Sequence, residues 1–280
     1  MKPVVRQHYV PAGYLAGFTV QGTRDSVFFV HSLDGSPVRN GTPNSEARER
    51  HYNTIDFPGL APDHLETLFG EKFEGPACAL FKTLAAHPGR PFATEEELGT
   101  ALNFFALQAA RVPRSKAKYQ DLILRNGQKF LEKMAYAPTF FQDVMTTALQ
   151  VGVLERSIDQ DFIRQGVGSK ELKVVAEKSN LAVGILRLAA AILEQISSLS
   201  STLWYADGPD WFVCSDHPAG LFYCLSGDMF VDPMALENPK VELLQDTLYL
   251  PIAVNVALAL HRFSNVPAVQ RVPQRMVQNS

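Results

Sequence analysis

The stretch ALNFFALQAARV, residues 101–112, constrains the fold more than any other part of the chain. Only Asn103, Gln108 and Arg111 are polar in it. Thr94-Glu95-Glu96-Glu97 precedes it and fits a capping box, with Thr94 as N-cap and Glu97 as reciprocal partner. The acidic first turn also suits the helix dipole. Pro113 follows, and the helix should stop just before it. A helix that is apolar nearly all round belongs at the centre of a molecule. Gln108 and Arg111 are three apart and share a face. Buried without partners they would cost about 2–5 kcal/mol, so that face needs polar partners.

Further helices are expected around this one. Residues 62–86 begin with a proline suited to a first helical position. At 100° per residue, Leu65, Leu68, Phe69, Phe73, Ala77, Leu80 and Leu84 form one apolar stripe. Glu66 points into the stripe, whereas Glu71 and Glu74 point away from its centre. Residues 114–135 read as an amphipathic helix, 138–152 as another, and 157–166 as a short one. Residues 169–204 read as a long helix with a break near Gly184.

The two ends of the chain read as strands and turns. Residues 27–31 (VFFVH) are β-rich and the turn 33–36 follows. Residues 41–45 are loop, 46–51 a charged surface run, and 52–57 a second short strand. Towards the C-terminus, residues 211–214 (WFVC) form an apolar run expected of a buried strand, ending at Ser215-Asp216-His217-Pro218. Residues 221–224, 247–252 and 256–261 are further strand candidates. The expected class is α+β, with a central helical layer between N-terminal and C-terminal β-rich segments. No linker is evident, so one domain is expected over 1–280: β-rich 1–57, helical 58–204, β-rich 205–262 and an extended tail 263–280.

Composition removes several function classes. The 280 residues carry a net charge of −3, which is not that of a dedicated nucleic-acid binder. Three cysteines without a CxxC pair argue against a disulfide framework and a Cys-rich zinc site. Cys214 and Cys224 lie in apolar runs and read as inert core thiols. His31, His51, His64 and His261 lie in different elements without HExxH-type spacing, which argues against a dedicated zinc site. No G-x-S-x-G, P-loop or G-x-G-x-x-G occurs, and there is no nicotinamide, flavin or haem signal. Residues 181–201 are apolar, but Arg187 and Glu194 interrupt them, so a buried helix is expected rather than a membrane span. With no targeting segment visible, a cytoplasmic protein with reduced thiols is expected.

The opening Arg6-Gln7-His8-Tyr9-Val10-Pro11, followed by Tyr14, Leu15 and Phe18, carries the clearest chemistry. A histidine beside an aromatic and a rigid proline can sit at the mouth of a site as general base or metal ligand. It can equally bond the backbone and pack near the core. The same opening resembles the bacterial family called domain of unknown function 4238, whose members open with His-Tyr-Val-Pro, a Tyr-Leu pair and a Phe. Other segments fit that pattern in order: Tyr52 after a charged run, Leu65-Glu66 with Glu74, Gln108-x-x-Arg111-x-Pro113, Ser215-Asp216-His217-Pro218 and Leu250-Pro251. His217 stands where the family more usually has Asn. The resemblance spans roughly residues 6–255 and implies a map of positions rather than an activity.

Residues and map agree on His8, Glu66, Gln108, Arg111, Ser215 and Asp216. The expectation is one partly buried polar pocket. His8 would move the proton, and Arg111 would neutralise Glu66 or Asp216 or bind an anionic group. Asp216 would orient His8 or hold a divalent metal. Tyr9, Gln108, Arg111 and Ser215 would line the substrate. Such a set suits a hydrolase acting on a phosphorylated substrate, a nucleotide or nucleic acid. The alternatives are a module that binds or senses a small anionic ligand without turnover, and a structural or interaction protein whose network serves only the fold. No membrane partner is expected.

Overall fold

The structure is a computed structural model that describes residues 5–151, 159–169, 171–206, 212–223, 230–231, 246–261 and 267–272. In chain order its elements are β1 (Arg6–His8), α1 (Ala12–Leu15), a 3₁₀ turn (Ala16–Phe18), β2 (Phe28–Val30), β3 (Arg39–Gly41), β4 (Arg48–Arg50), α2 (His64–Phe69), a π-helical turn (Gly70–Glu74) and α3 (Gly75–Ala86). Then come α4 (Glu95–Arg111), α5 (Pro113–Tyr136), α6 (Pro138–Gln150), α7 (Gln160–Gly168), α8 (Lys178–Ile196), β5 (Ser200–Ala206), β6 (Gly220–Tyr223), β7 (Phe230–Val231), β8 (Asp246–Ala253), β9 (Val256–His261) and β10 (Val269–Val272). The class is α+β.

The chain forms two compact units, Met1–Lys116 with Ala182–Ser280, and Ala117–Leu181. The larger contains a sheet of order β10-β5-β9-β8-β6-β7, antiparallel except for the parallel pair β10 and β5. Val256, Leu258 and Leu260 of β9 and Leu248, Leu250 and Ile252 of β8 share a core with α3, α4 and α8. The α4 side chains are buried from Ala101 to Arg111 with the exception of Asn103, as its composition requires. Thr94 caps it by accepting from the Glu97 N–H at 3.2 Å. The Glu97 carboxylate turns to the Ala93 N–H and Arg90 instead, at 2.8 and 2.6 Å. Among the described residues α8 alone is long and apolar enough to cross a membrane, yet its Ile185, Leu188, Ile192 and Ile196 pack in the main core. In the smaller unit Met134, Phe141, Met145 and Val167 form the core of α5, α6 and α7.

Several expected elements are corrected. The long helix over 169–204 is two things: α8 stops at Ile196, and Ser200–Ala206 is β5. The Ser197 and Ser198 hydroxyls bond back to the Glu194 and Gln195 carbonyls, a local alternative that ends the helix. The Thr-Leu-Trp-Tyr run then pairs with β9. At its other end, the Glu171 and Leu172 N–H groups turn back to the Gly166 carbonyl, so the helix cannot begin there. Residues 52–57 form no strand. Their polar groups go elsewhere: Asn53 N–H to Gln7, Ile55 N–H to the Pro62 carbonyl, the Tyr52 carbonyl to Lys116. The surface run 46–51 instead contains β4. Residues 212–214 form no strand. Phe212 is buried while Val213 is 66% exposed, so only one face is covered. Trp211 and Cys224 lie outside the described residues. The tail contributes β10.

The helix expected over 62–86 is broken by a wider turn. Pro76 has no N–H to give the Lys72 carbonyl, and the Gly75 N–H reaches the Gly70 carbonyl in an i→i+5 bond. A Cβ on Gly75 would lie 3.0 Å from that carbonyl oxygen, so glycine permits the close approach. The π turn adds one residue, which sets back the phase of everything after it by about 100°. With that offset the buried Leu65 and Phe69 of α2 line up with Ala77, Leu80, Phe81 and Leu84 of α3.

Candidate functional site

The site is built on a two-stranded ribbon. β1 and β4 run antiparallel with Arg6 opposite Arg50, Gln7 opposite Glu49 and His8 opposite Arg48. Alternation puts Gln7 and Glu49 on one face and Arg6, His8, Arg48 and Arg50 on the other. Two non-glycine residues in the left-handed region bracket β4, Ala47 at φ 50° and His51 at φ 55°. Each conformation costs about 1–2 kcal/mol, and each is held by the ribbon: the Ala47 carbonyl accepts from Tyr9 N–H at 2.9 Å, and the His51 N–H donates to the Val5 carbonyl at 2.8 Å.

The ribbon's inner face is tied down by buried amides. Gln7 is fully buried, and its Oε1 accepts the Asn53 N–H at 2.6 Å. Asn53 Nδ2 in turn donates to Glu66 Oε2 at 2.7 Å. Glu66 is half-buried on α2, and the His8 backbone N–H also favours its ionised form. Burial nevertheless dominates and, with Glu74 nearby, raises the Glu66 pKa above its ordinary 4.5, against the pull of Asn53 and Arg111.

Arg111, at the end of α4, is fully buried. Its Nε donates to the Tyr9 carbonyl at 2.9 Å, and Gln108 Nε2 donates to the same oxygen at 2.6 Å. Its Nη1 donates to Glu74 Oε1 at 2.5 Å, and its guanidinium carbon lies 5.5 Å from the centroid of the Phe69 ring. Nη2 has no hydrogen-bond partner among the described residues. The backbone carbonyl of Arg111 accepts the Tyr52 hydroxyl. Lys116 closes the set, donating to the Tyr52 carbonyl at 2.8 Å with its ammonium 4.0 Å over the Tyr52 ring. The shared face of Gln108 and Arg111 thus finds its partners, and they come from Tyr9 and Glu74.

Glu74 is the correction that matters most. A continuous α-helix would put it about 80° from Glu66; the extra residue of the π turn brings it to within about 20°. The signal was present in the sequence as Gly75-Pro76 within a helical stripe.

His8 is partly buried, with Nε2 3.2 Å from the Pro43 carbonyl. An Nε2–H donated there leaves the Nδ1 lone pair as the basic nitrogen. Burial lowers its pKa below 6.5; the Pro43 bond opposes this, and among the nearby charges Arg48 and Arg111 push it down while Glu74 pushes it up. The ring is therefore neutral at pH 7.

The remaining expected residues sit apart from this bonded set. Ser215 and Asp216 are both exposed. The Ser215 hydroxyl accepts the His217 N–H at 3.1 Å and makes the local turn. Asp216 acts by charge on the Tyr9 phenol, whose pKa is raised by burial first and by Asp216 next. His217 Nε2 lies 3.5 Å from the Ser115 hydroxyl. The contacts therefore join His8, through its backbone N–H, with Tyr9, Glu66, Gln108 and Arg111 in one cluster; Gln7, Asn53, Tyr52 and Glu74 are members outside the expected pocket, although Tyr52 and Glu74 were positions of the family pattern. Among the described residues no group of three or more His, Cys, Asp or Glu side chains is placed to hold a metal ion.

Other map positions bind the fold. The Tyr14 hydroxyl donates to the Pro251 carbonyl, joining the Tyr-Leu pair to the late Leu-Pro step.

No curated protein and no solved structure matches the chain. The model of one family, described as protein of unknown function (DUF4238), matches residues 6–278. That match covers nearly the whole chain, including every residue of the cluster, and the protein belongs to this family.

Proposed function

We propose that the protein is a hydrolase acting on a phosphorylated substrate, with His8 and Glu66 as its acid–base pair. The observation that carries the reading is the opposite perturbation of two groups of one cluster: burial lowers the His8 pKa and raises that of Glu66, whose carboxylate meets the His8 backbone N–H. In the reaction, water attacks phosphorus and its proton passes to His8 Nδ1. The phosphorus–oxygen bond to the leaving group breaks, and that oxygen takes the Glu66 proton. Arg48, whose charge acts on His8, stabilises the phosphoryl oxygens. Arg111 acts as a positioning residue, fixing the Tyr9 carbonyl and Glu74. A reducing cytoplasm suits this reading, with Cys78 and Cys214 both free thiols.

The test is turnover of chromogenic phosphomonoesters and phosphodiesters. His8→Ala should lower kcat about 10²–10⁴-fold with an unchanged melting temperature. In kcat/KM the ascending limb should lie below pH 6.5 and vanish in His8→Ala. The descending limb should lie above pH 4.5 and vanish in Glu66→Gln. Wild-type rates in both variants would overturn the assignment.

A second reading, a network that serves only the fold, is favoured by one fact: Arg111 is fully buried and engaged by Tyr9 and Glu74. It predicts no turnover of any phosphoester and a His8→Ala protein that melts well below wild type.

A further inference from the structure

The ribbon face that carries His8 also carries three guanidinium groups. Arg6 and Arg50 stand opposite one another, and His8 stands opposite Arg48. Arg6 and Arg50 are exposed and Arg48 is half-buried. The acid of the ribbon itself, Glu49, stands opposite Gln7 on the other face. Glu46 is engaged by both terminal nitrogens of Arg39 at 2.7 Å. Glu74 is held by Arg111. In a chain whose net charge is −3, this is a local concentration of positive charge around one histidine. Residues two apart on a strand lie about 6.8 Å apart, and directly opposite residues about 5 Å. That spread suits successive phosphates of one chain better than a lone phosphate, which a single bidentate arginine satisfies. Backbone bonds at both ends of β4, Tyr9 N–H to the Ala47 carbonyl and His51 N–H to the Val5 carbonyl, hold the array in register.

We propose that this face binds a single strand of nucleic acid through consecutive phosphates and seats one phosphodiester at His8. The proposal rests on the hydrolytic reading for what happens at His8, and on the arginine array for the strand.

The experiment is fluorescence anisotropy of a labelled oligothymidylate against the full-length protein over a range of salt. Three phosphate contacts at roughly 0.7 each give a slope of log affinity against log salt of about −2. Arg6→Ala/Arg48→Ala/Arg50→Ala should weaken binding about tenfold or more at low salt. The corresponding triple lysine variant should bind close to wild type, since phosphate contact needs charge more than fork geometry. If the alanine triple fails to fold, Arg6→Ala/Arg50→Ala, at two exposed positions, reads the same loss. Unchanged binding in the alanine variants, or binding indifferent to salt, overturns the proposal. So does full displacement by inorganic phosphate at equal phosphate concentration, which would mark a single-phosphate site. His8→Ala separates the two readings. A strand bound but never cleaved sinks the hydrolase and leaves the binding face standing. Cleavage of small phosphodiesters without strand binding does the reverse.

Discussion

The two compact units teach different lessons about how sequence becomes structure. In the smaller, Ala117–Leu181, the core is Met134, Phe141, Met145 and Val167, with Leu131, Phe140 and Ile163 against it. Charged residues there lie over rings from the side, Lys133 over Phe140 and Arg164 over Phe141. In the larger unit Gln7, Gln108 and Arg111 are themselves interior. One unit is held by non-directional burial, which tolerates adjustment. The other has directional partners inside it, which must all be present at once. In the second, burial and neighbouring charges shift His8 and Glu66, and the candidate chemistry is found there.

The contrast can be broken most sharply at Arg111. Arg111→Ala leaves the Tyr9 carbonyl with one donor fewer and Glu74 without its counter-ion. The expected cost is about 3–5 kcal/mol, read from the denaturant midpoint. A cost under about 1 kcal/mol would mean that water replaces the guanidinium and that the interior is not directional at all. Met145→Ala is the counterpart in the smaller unit. It should cost about 2–5 kcal/mol, at the lower end if α5, α6 and α7 close over the gap. Phosphoester turnover, where present, should be unchanged.

The smallest effect has the most telling sign. Glu66 has a folded pKa above its unfolded one, so the folded protein binds its proton more tightly. Its contribution to stability is present below pH 4.5 and is lost as pH rises through the folded value. Glu66→Gln keeps an oxygen for Asn53 and removes the charge. It should stabilise the fold at pH 7–8 by a fraction of about 1 kcal/mol, read as a higher melting temperature, and leave the melting temperature unchanged at pH 4. A fall at pH 7 would show that the carboxylate is a structural anchor rather than a strained functional group.

What could be read in advance follows the same divide. α5 and α6 were legible because their periodicity, and for α6 the proline that opens it, are local. Gln108 and Arg111 were legible because every neighbour on α4 is apolar. His8 and Tyr9 stood out in the opening motif. Glu66 was placed correctly because it precedes the π turn. Glu74 was misplaced because it is the last residue of that turn. β1 and β4 were invisible: three-residue strands of arginine, glutamate, glutamine and histidine carry no hydrophobic alternation, and only their pairing defines them. β5 was hidden behind a serine-rich helix end whose outcome depends on β9, more than fifty residues further along the chain.

The π turn also changes which mutations count as small. Losing one codon between Gly70 and Glu74 would remove only the surplus residue. An ordinary helix could then run through while its two halves kept the alignment that the core demands. Exchanging Pro76 for alanine, with the length unchanged, would restore the missing N–H but rotate one half against the other by about 100° if the helix became regular. The buried row of Leu80 and Leu84 opposes that rotation. Along this segment a deletion is the conservative change and a substitution the disruptive one. Related chains that differ here by one residue in length can therefore carry the same pair of carboxylates.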